Sequence, residues 1–425
     1  MYTYKVYNLE VKLDTRATQL RILHFTNWSK RGKPMNPIHL TSFLQCLQTI
    51  PHSSKHPILV HDAGGYANCA SVIVLVDICL REAERDGQVD IFHQLQLLHS
   101  QRSNIMDNVE DYLLVHLILV KYLATPQYVY PCNVFNSILT GIDDATVTQQ
   151  MKMISDSLWQ ESVLRPEGSV LYYNKRDKNR DQDIIPHPSC CVFLRPLYEK
   201  ESCYINAIFV DGYQQSKQFI VTQHPLTNTV DDFWRMVVDN NVKLVISLQP
   251  EYDVEFWNNG GDFLTPNGTS IEHLEIAELP DFHMHTLFVK PNGTPIKKIE
   301  INLIEVVGWK VEHAVPIDLR VLMSTRLQMN RTKCKEFNSI VVMCRNGASA
   351  CGLYIAACNL LDSMESEQVV DVCTSVRNIR NYRSQFVTDQ AQFHALYKLA
   401  SLFLDDFRKY SNFEAVITTT KRTKI

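Results

Sequence analysis

Two stretches of the chain carry the residue types needed for nucleophilic chemistry on an anion. In residues 339–361, SIVVMCRNGASACGLYIAACNLL, an apolar strand-like run ends at Cys344, and small residues then lead into an apolar helix-like run. A turn of this kind collects backbone N–H groups at a helix N-terminus, where they bind phosphate and stabilise a thiolate. The sequence therefore predicts an anion-binding loop with a cysteine at its entrance.

The second stretch, residues 58–77, has the same order but a different residue at the entrance. It reads ILVHDAGGYANCASVIVLVD, so Asp62 stands where the other stretch has Cys344. A carboxylate at a helix N-terminus is itself a ligand for the N–H groups, and it competes with a bound phosphate for them. We therefore expect Asp62 to cap its own loop.

The two stretches belong to a duplicated unit. When Asp62 is aligned with Cys344, the flanking landmarks fall into step over about eighty residues; they are Trp28 with Trp309, Val89-Asp90 with Val370-Asp371, Arg102-Ser103 with Arg383-Ser384, and Tyr112 with Phe393. Such agreement at several separated positions indicates an internal repeat and a tandem architecture.

Local patterns predict a mixed α/β fold for each unit. Apolar residues recur at helical spacing in 89–123 and 370–404, and PNGT at 266–269 and 291–294 is typical of a hairpin turn. We expect a twisted mixed sheet flanked by helices, with the first unit incomplete at its N-terminus. The predicted division is a first domain at 1–125, a linker at 126–155, a second domain at 156–405 and a tail at 406–425.

Composition excludes several classes of protein. A net charge of −4 without a basic stripe argues against a nucleic-acid binder, and no apolar run reaches the roughly 20 residues that span a bilayer. The 12 cysteines form no CxxC pair, which favours reduced thiols over disulfides or a metal site. We expect no metal and no cofactor.

Several ordered motifs resemble the protein tyrosine phosphatases. Residues 204–235, YINAIFVDGYQQSKQFIVTQHPLTNTVDDFWR, are similar to that family's YINAS-x-I-x-GY, TQGPL and DFWRM segments, and Lys178, Asn179 and Arg180 resemble the KNR that opens its phosphotyrosine-recognition loop. Two consecutive units are similar to the tandem intracellular domains of receptor-type tyrosine phosphatases. The resemblance implies two tyrosine-phosphatase folds.

The resemblance also implies a set of catalytic groups. A cysteine thiolate, aided by a preceding histidine, attacks phosphorus and forms a cysteinyl-phosphate. An arginine six residues later grips the phosphoryl oxygens, and an aspartate on a Trp-Pro-Asp loop protonates the leaving phenol. Glutamines further along position the hydrolytic water.

The first unit has lost most of these groups. Asp62 replaces the nucleophile, Asn68 replaces the arginine, and Lys30 stands at the acid position, although His61 and the loop glycines Gly64 and Gly65 remain. Aspartates (Asp107 and Asp111) occupy the two glutamine positions. We expect this unit to be inactive.

The second unit has lost a different set. Cys344, Gly347 and Gly352 keep their positions, and Gln392 keeps one of the glutamine positions. The replaced positions are Met343 for the histidine, Ala350 for the arginine, Val311 for the acid and Asp181 for the ring-stacking tyrosine. Loss of one oxyanion-type donor alone costs about 2.7–4 kcal/mol of transition-state stabilisation. With no cation beside it, Cys344 is expected to have no lowered pKa and to be a buried structural thiol.

These losses predict a catalytically impaired receptor-type phosphatase module. It would be cytoplasmic, as the intracellular part of a membrane receptor, and would touch the membrane only through an upstream segment. Its partners would be signalling proteins, including phosphotyrosine proteins or other receptor-type phosphatases. The alternative is an active phosphatase that works through a cysteinyl-phosphate at Cys344. A phosphotyrosine-binding trap is disfavoured, because both the gripping arginine and the ring-stacking tyrosine are absent.

Overall fold

The computed structural model divides into two compact units, residues 2–127 and residues 128–425. The structure describes residues 4–13, 16–25, 28, 40, 43–44, 47, 57–62, 69–124, 128–163, 176–195, 202–292, 298–332 and 338–421. No helix in these ranges is both long enough and apolar enough to cross a bilayer. Nor do these ranges contain a cluster of three or more metal-ligating side chains.

The described residues of the first unit include a hairpin and several helices. Its elements are β1 (Tyr4–Leu13), β2 (Arg16–Phe25), α1 (Cys69–Asp86), α2 (Ile91–Gln101) and α3 (Val109–Ala124). The strands pair antiparallel, from Tyr4 with Phe25 to Leu13 with Arg16. Apolar residues of α1 at three- and four-residue spacing, such as Val72, Leu75 and Val76, face a core that α3 shares.

The predicted strand before the loop of the first unit is not formed. Residues 57–62 are described, but they have no strand assignment. In the second unit the equivalent segment lies between two parallel neighbours. The described residues of the first unit offer Ile58–Val60 no such neighbours, and a strand without partners leaves its backbone groups unpaired.

The second unit is built on a large mixed sheet. Its strands are β3 (Tyr130–Pro131), β4 (Cys191–Phe193), β5 (Tyr204–Val210), β6 (Phe219–Gln223), β7 (Leu244–Ser247), β8 (Asp262–Leu264), β9 (Ser270–Glu278), β10 (Phe282–Lys290), β11 (Ile299–Val306), β12 (Ile340–Cys344) and β13 (Val369–Val370). Its helices are α4 (Phe135–Ile138), α5 (Asp144–Val163), α6 (Val230–Asp239), α7 (Arg320–Thr332), α8 (Ser349–Glu367), α9 (Val372–Arg380) and α10 (Gln390–Lys421), with short 3-10 turns at Leu139–Gly141 and Arg176–Lys178.

Among the described residues, nine strands form one sheet in the order β4-β5-β6-β12-β7-β11-β10-β9-β8. Strand β12 is parallel to β6 and β7, and β7 is parallel to β11, whereas the outer pairs are antiparallel. Parallel strands buried at the centre of a sheet are expected to be apolar throughout. All five residues of β12 are buried.

Strand β12 separates two hydrophobic cores. Because successive side chains point to opposite faces, Ile340, Val342 and Cys344 pack with the helix α8 core, whereas Val341 and Met343 pack with the α6 core. The cysteine of the loop and its neighbour Met343 therefore belong to opposite sides of the sheet.

The structure confirms the mixed α/β fold predicted from the sequence. The PNGT turn at 266–269 joins β8 to β9, with Gly268 at a φ of +85°, and helices cover most of 89–123 and 370–404. The segment predicted as a linker, 126–155, is more than a connector. From Tyr128 onward it is part of the second compact unit, because β3 pairs with β13 and α5 packs on α10.

Candidate active site

The candidate active site of the second unit lies at the carboxyl end of the central strand. Cys344 ends β12, and α8 begins five residues later at Ser349. Gly347 has a φ of +67°, and a Cβ at this position would lie 2.6 Å from the backbone nitrogen of Gln223. Only glycine fits this turn without strain, so the retained Gly347 keeps the loop in the tight form of a phosphate cradle.

Asn346 fills this cradle from within. Its Oδ1 atom accepts hydrogen bonds from the backbone N–H groups of Ala348, at 3.0 Å, and Ser349, at 3.1 Å. The Cys344 Sγ lies 3.6 Å from the same oxygen. These N–H groups at the start of α8 are the donors that would receive a phosphate, and the loop already supplies them with an acceptor.

The thiol of Cys344 differs from the sequence expectation. Its side chain is buried, which raises its pKa, but hydrogen bonds from the Cys351 thiol and from loop N–H groups outweigh that effect. The result is a pKa of about 7, below the ordinary value of 9.0. The expectation that Cys344 has no lowered pKa was wrong, because neutral donors replace the missing cation.

Arg383 binds the backbone of the loop through the Gly347 carbonyl. This buried guanidinium donates to the Gly347 carbonyl at 2.6 Å and to Asn206 Oδ1 at 2.8 Å. Gly352 allows α8 to pack closely against the segment that follows Arg383, since a Cβ on Gly352 would lie 2.9 Å from Phe386. These contacts position the loop backbone without contributing a group to chemistry.

Met343 and Ala350, which replace the histidine and the arginine, are both fully buried. Ala350 ends at a methyl group and offers no donor where the resemblance implies an arginine. Met343 packs among the apolar side chains of the α6 core, on the sheet face opposite Cys344. Neither residue can lower the pKa of Cys344 or bind an anion.

The segment that resembles the recognition loop is tied into the fold by its own side chains. Lys178 pairs with Asp232 at 2.6 Å, and Asn179 accepts from the Tyr204 hydroxyl at 2.6 Å. Asp181 accepts from the Asp183 N–H at 2.9 Å, so it caps its own turn instead of presenting a ring. The side chains of this segment therefore stabilise the fold more than they offer a binding surface.

Two arginines at the mouth of the loop share one carboxylate. Arg180 and Arg345 both form ion pairs with Asp253, and the Arg345 contact measures 2.9 Å. The hydrogen bond from Arg345, together with Arg180, holds the pKa of Asp253 below its ordinary value. Arg345 thus forms an ion pair with Asp253 and does not take the place of the arginine that Ala350 replaces.

The loop at the acid position carries a valine, Val311, where the resemblance implies an acid. Val311 is partly buried, the adjacent Glu312 is exposed, and Trp309 Nε1 donates to the His313 carbonyl at 3.0 Å. Gln392 is buried and donates to the Ala314 carbonyl at 2.9 Å and to Ser349. The surviving glutamine therefore joins this loop to the start of α8.

The loop of the first unit is described only at its two ends. Asp62 Oδ2 accepts from the Ala70 N–H at 3.3 Å, which is the kind of contact expected for a self-capping carboxylate at the start of α1. His61 is exposed. Asp107 is exposed and Asp111 is partly buried, whereas the predicted positions Lys30, Gly64, Gly65 and Asn68 lie outside the described residues.

Sequence reasoning missed two residues of the second site. Asn346 carried a usable signal, since asparagine before glycine is typical of a turn in which the side chain binds backbone N–H groups. Arg383 was noticed only as a landmark of the repeat. Nothing in its sequence context indicates that its guanidinium reaches the Gly347 carbonyl.

Comparisons with known proteins show which family the chain is similar to. The family model described as Protein-tyrosine phosphatase matches residues 1–121 and 175–401. The chain is 25% identical to receptor-type tyrosine-protein phosphatase U of Gallus gallus over 420 residues, covering 95% of this chain and 29% of the relative. It is 26% identical to receptor-type tyrosine-protein phosphatase epsilon of Mus musculus over 435 residues, and of Homo sapiens over 436, covering 97% of this chain and 61% of each relative.

Proposed function

Because the chain belongs to the protein-tyrosine phosphatase family, we propose that it is a catalytically impaired receptor-type module that acts through protein contacts in phosphotyrosine signalling. The chain spans less than two thirds of the length of the relatives described above. The cytoplasmic location, inside a membrane receptor, is part of the proposal. So are the partners, which would be signalling proteins, phosphotyrosine proteins or other receptor-type phosphatases.

One observation supports the loss of catalysis above all others. The amide oxygen of Asn346 accepts from both Ala348 and Ser349, so a phosphate must displace an internal ligand before it reaches the loop. The displaced amide would then need new partners, and Ala350 offers the incoming phosphate no compensating charge.

The second candidate function is a slow tyrosine phosphatase, and the pKa of Cys344 favours it. A thiol with a pKa of about 7 is partly ionised at neutral pH and is a competent nucleophile. The general acid and the gripping arginine would still be missing. Loss of general acid catalysis alone typically lowers the rate by about 10²–10⁴-fold.

An aryl phosphate assay separates the two candidates. The full chain is assayed at high protein concentration from pH 5 to 8, beside Cys344→Ser as the matched control. The proposal predicts equal release of the phenol by both proteins. Turnover by the unmodified chain that Cys344→Ser abolishes would overturn the impaired module and support the phosphatase.

A further inference from the structure

The mouth of the loop in the second unit carries two guanidinium groups that come from different segments. Arg345 directly follows Cys344, and Arg180 belongs to the segment that resembles the recognition loop. Arg180 Nη1 donates to Asp253 Oδ2, and Arg345 Nη1 donates to Asp253 Oδ1 at 2.9 Å. We call these three residues the mouth cluster. Each oxygen of one carboxylate is thus held by a different arginine, which is a favourable geometry for binding a carboxylate.

The backbone on either side of the mouth cluster is held by buried polar contacts. The Arg180 N–H donates to Gln223 Oε1 at 3.0 Å, and Gln223 Nε2 donates to the Lys178 carbonyl at 3.0 Å. Next to Asp253, the Tyr252 hydroxyl donates to Glu305 at 2.6 Å. Side chains that start from a fixed backbone lose less conformational entropy when they bind a ligand. The cluster is therefore largely preorganised.

The mouth cluster keeps a positive potential although it contains a carboxylate. His224 reports this potential, because it is fully buried and its N–H donates to the Cys344 carbonyl at 2.9 Å. Burial lowers the pKa of His224 to about 3, and the charges of Arg180 and Arg345 lower it further than Asp253 raises it. Two positive charges facing one negative charge would attract an anionic group to the mouth.

The ion pairs of the mouth cluster are open to exchange. The side chains of Arg345 and Asp253 are 43% and 42% exposed, and that of Arg180 is 16% exposed. An ion pair that is exposed to this degree contributes little to stability, because water solvates both charges. A carboxylate from another molecule can therefore take the place of Asp253, or bind beside it, at small cost.

The guanidinium groups also have donors to spare. Each guanidinium carries several N–H donors, and the hydrogen bonds to Asp253 use a single nitrogen of each. Among the described residues, Arg180 Nε is buried without a hydrogen-bond partner. Asp253 is the one carboxylate in this part of the chain that pairs with either arginine. The cluster can thus accept a second carboxylate.

The surroundings of the mouth cluster limit the kind of ligand. The oxygen of Asn346 occupies N–H groups of the loop, so an anion drawn to the cluster meets the arginines first. Lys178 already pairs with Asp232 at 2.6 Å and adds no free cation. Membrane surfaces and nucleic acids are bound through larger sets of basic residues. Two guanidiniums fit the carboxylates of a short acidic peptide segment.

We propose that the mouth cluster binds an acidic segment of a partner protein, whose carboxylates bridge Arg180 and Arg345 beside Asp253 or in its place. Asp253 acts as an internal competitor that weakens this binding, and the loop beneath the cluster remains filled by Asn346. The inference rests on the proposed function, and it names the surface and the chemistry through which the module makes its contacts.

The probe is a fluorescein-labelled peptide in which a run of glutamates lies between glycines. Fluorescence anisotropy with the full chain should give a dissociation constant on the order of 100 µM at about 0.01 M salt, and much weaker binding at about 0.15 M. The same peptide with glutamines in place of the glutamates is the matched control, and it should not bind. Equal binding of the two peptides would overturn the proposal.

Substitutions at the mouth cluster should change the affinity in opposite directions. Arg345→Gln should weaken binding of the glutamate peptide at least fivefold, and Asp253→Asn should tighten it at least threefold, because it removes the internal competitor. Arg320→Gln is the matched control, since Arg320 is an exposed arginine that pairs with aspartates elsewhere in the second unit. It should leave the affinity unchanged. An equal loss with Arg345→Gln and Arg320→Gln would indicate unspecific attraction and contradict the proposal.

A double-mutant cycle tests whether the three residues act together. The gain from Asp253→Asn should disappear in the chain that carries Arg180→Gln with Arg345→Gln, because no guanidinium is left to be released. The same gain in both backgrounds would overturn the proposal. Since Arg345 is exposed, Arg345→Gln alone still decides the question if the doubly substituted chain fails to fold.

A phosphotyrosine peptide of the same length distinguishes the mouth from the loop. If it binds more tightly than the glutamate peptide and Arg345→Gln has no effect on it, the anion site lies in the loop and the proposal is wrong. The phosphatase assay is independent of these results. Turnover that Cys344→Ser abolishes would defeat the proposed function while leaving glutamate binding intact, and absence of glutamate binding would leave the catalytic argument untouched.

Discussion

In the loop before α1 and in the loop before α8, a side chain of the loop itself accepts hydrogen bonds from N–H groups at the helix N-terminus, and the side chain differs between the two loops. In the first unit the carboxylate of Asp62 reaches Ala70 from the nucleophile position. In the second unit the amide of Asn346 reaches Ala348 and Ser349 from within the loop, and the nucleophile position keeps its cysteine. The same blockage thus arises from residues at two different points of one motif.

The difference in charge has a chemical consequence. A carboxylate neutralises the positive end of the helix, whereas a neutral amide occupies N–H groups there without cancelling the positive charge. In the second unit the Cys351 thiol and loop N–H groups lower the pKa of Cys344 to about 7. An anion-binding loop can therefore keep a thiol of lowered pKa while a side chain of the loop occupies its N–H groups.

The largest difference between the copies is expected at Arg383 and its counterpart Arg102. Arg383→Ala leaves the Gly347 carbonyl and the Asn206 oxygen without their buried donor, and should cost about 3–5 kcal/mol of unfolding free energy. Arg102 is exposed, so Arg102→Ala should change stability by less than about 0.5 kcal/mol. Urea unfolding followed by tryptophan fluorescence measures both, and similar costs would contradict the assigned role.

The next effect concerns the backbone of the second loop. Gly347→Ala combines a positive φ with a Cβ placed 2.6 Å from backbone, and should destabilise the chain by about 2–4 kcal/mol. Gly308→Ala is the matched control, since Gly308 has a φ of +79° and open space around it. It should cost about 1 kcal/mol. Equal losses in thermal unfolding would show that the close contact is relaxed in solution.

These contrasts also show what the sequence could predict. The order of motifs was sufficient for the mixed fold, the tandem repeat and the retained glycines, because local periodicity and turn chemistry are written in neighbouring residues. The pairing of Arg383 with Gly347 joins residues far apart in the chain, so spacing could not predict it. The lowered pKa of Cys344 was missed because it depends on the directions of N–H groups.

A smaller effect should distinguish how much the Cys351 thiol and the backbone N–H groups each lower the pKa of Cys344. The alkylation rate should rise with pH to half its maximum near pH 7, since the reactive thiolate forms above the pKa. Cys351→Ala removes one donor and should move this midpoint up by roughly one pH unit, whereas Cys351→Ser keeps a donor and should not. Peptide mapping of iodoacetamide-labelled protein measures the profile. A midpoint near 9 in the unmodified chain would contradict the hydrogen-bond account.

The smallest effect is expected in the first loop. Asp62→Ala removes the cap contact of 3.3 Å to the Ala70 N–H and should destabilise α1 by about 1 kcal/mol, with a larger loss at low salt. Asp62→Asn should keep most of the stability but lose the salt dependence. Hydrogen exchange at Ala70 and Ser71 reports this locally. Unchanged exchange in both variants would show that Asp62 does not cap α1.

Protection of Cys344 from alkylation by phosphate tests the central claim, that Asn346 occupies the loop and that no residue replaces the missing arginine. The unmodified chain should gain no protection at millimolar phosphate. Asn346→Ala with Ala350→Arg should be protected in proportion to phosphate concentration, and Ala350→Arg alone should be protected less, because the amide still competes. Strong protection of the unmodified chain, or equal protection of the single and double variants, would contradict the account.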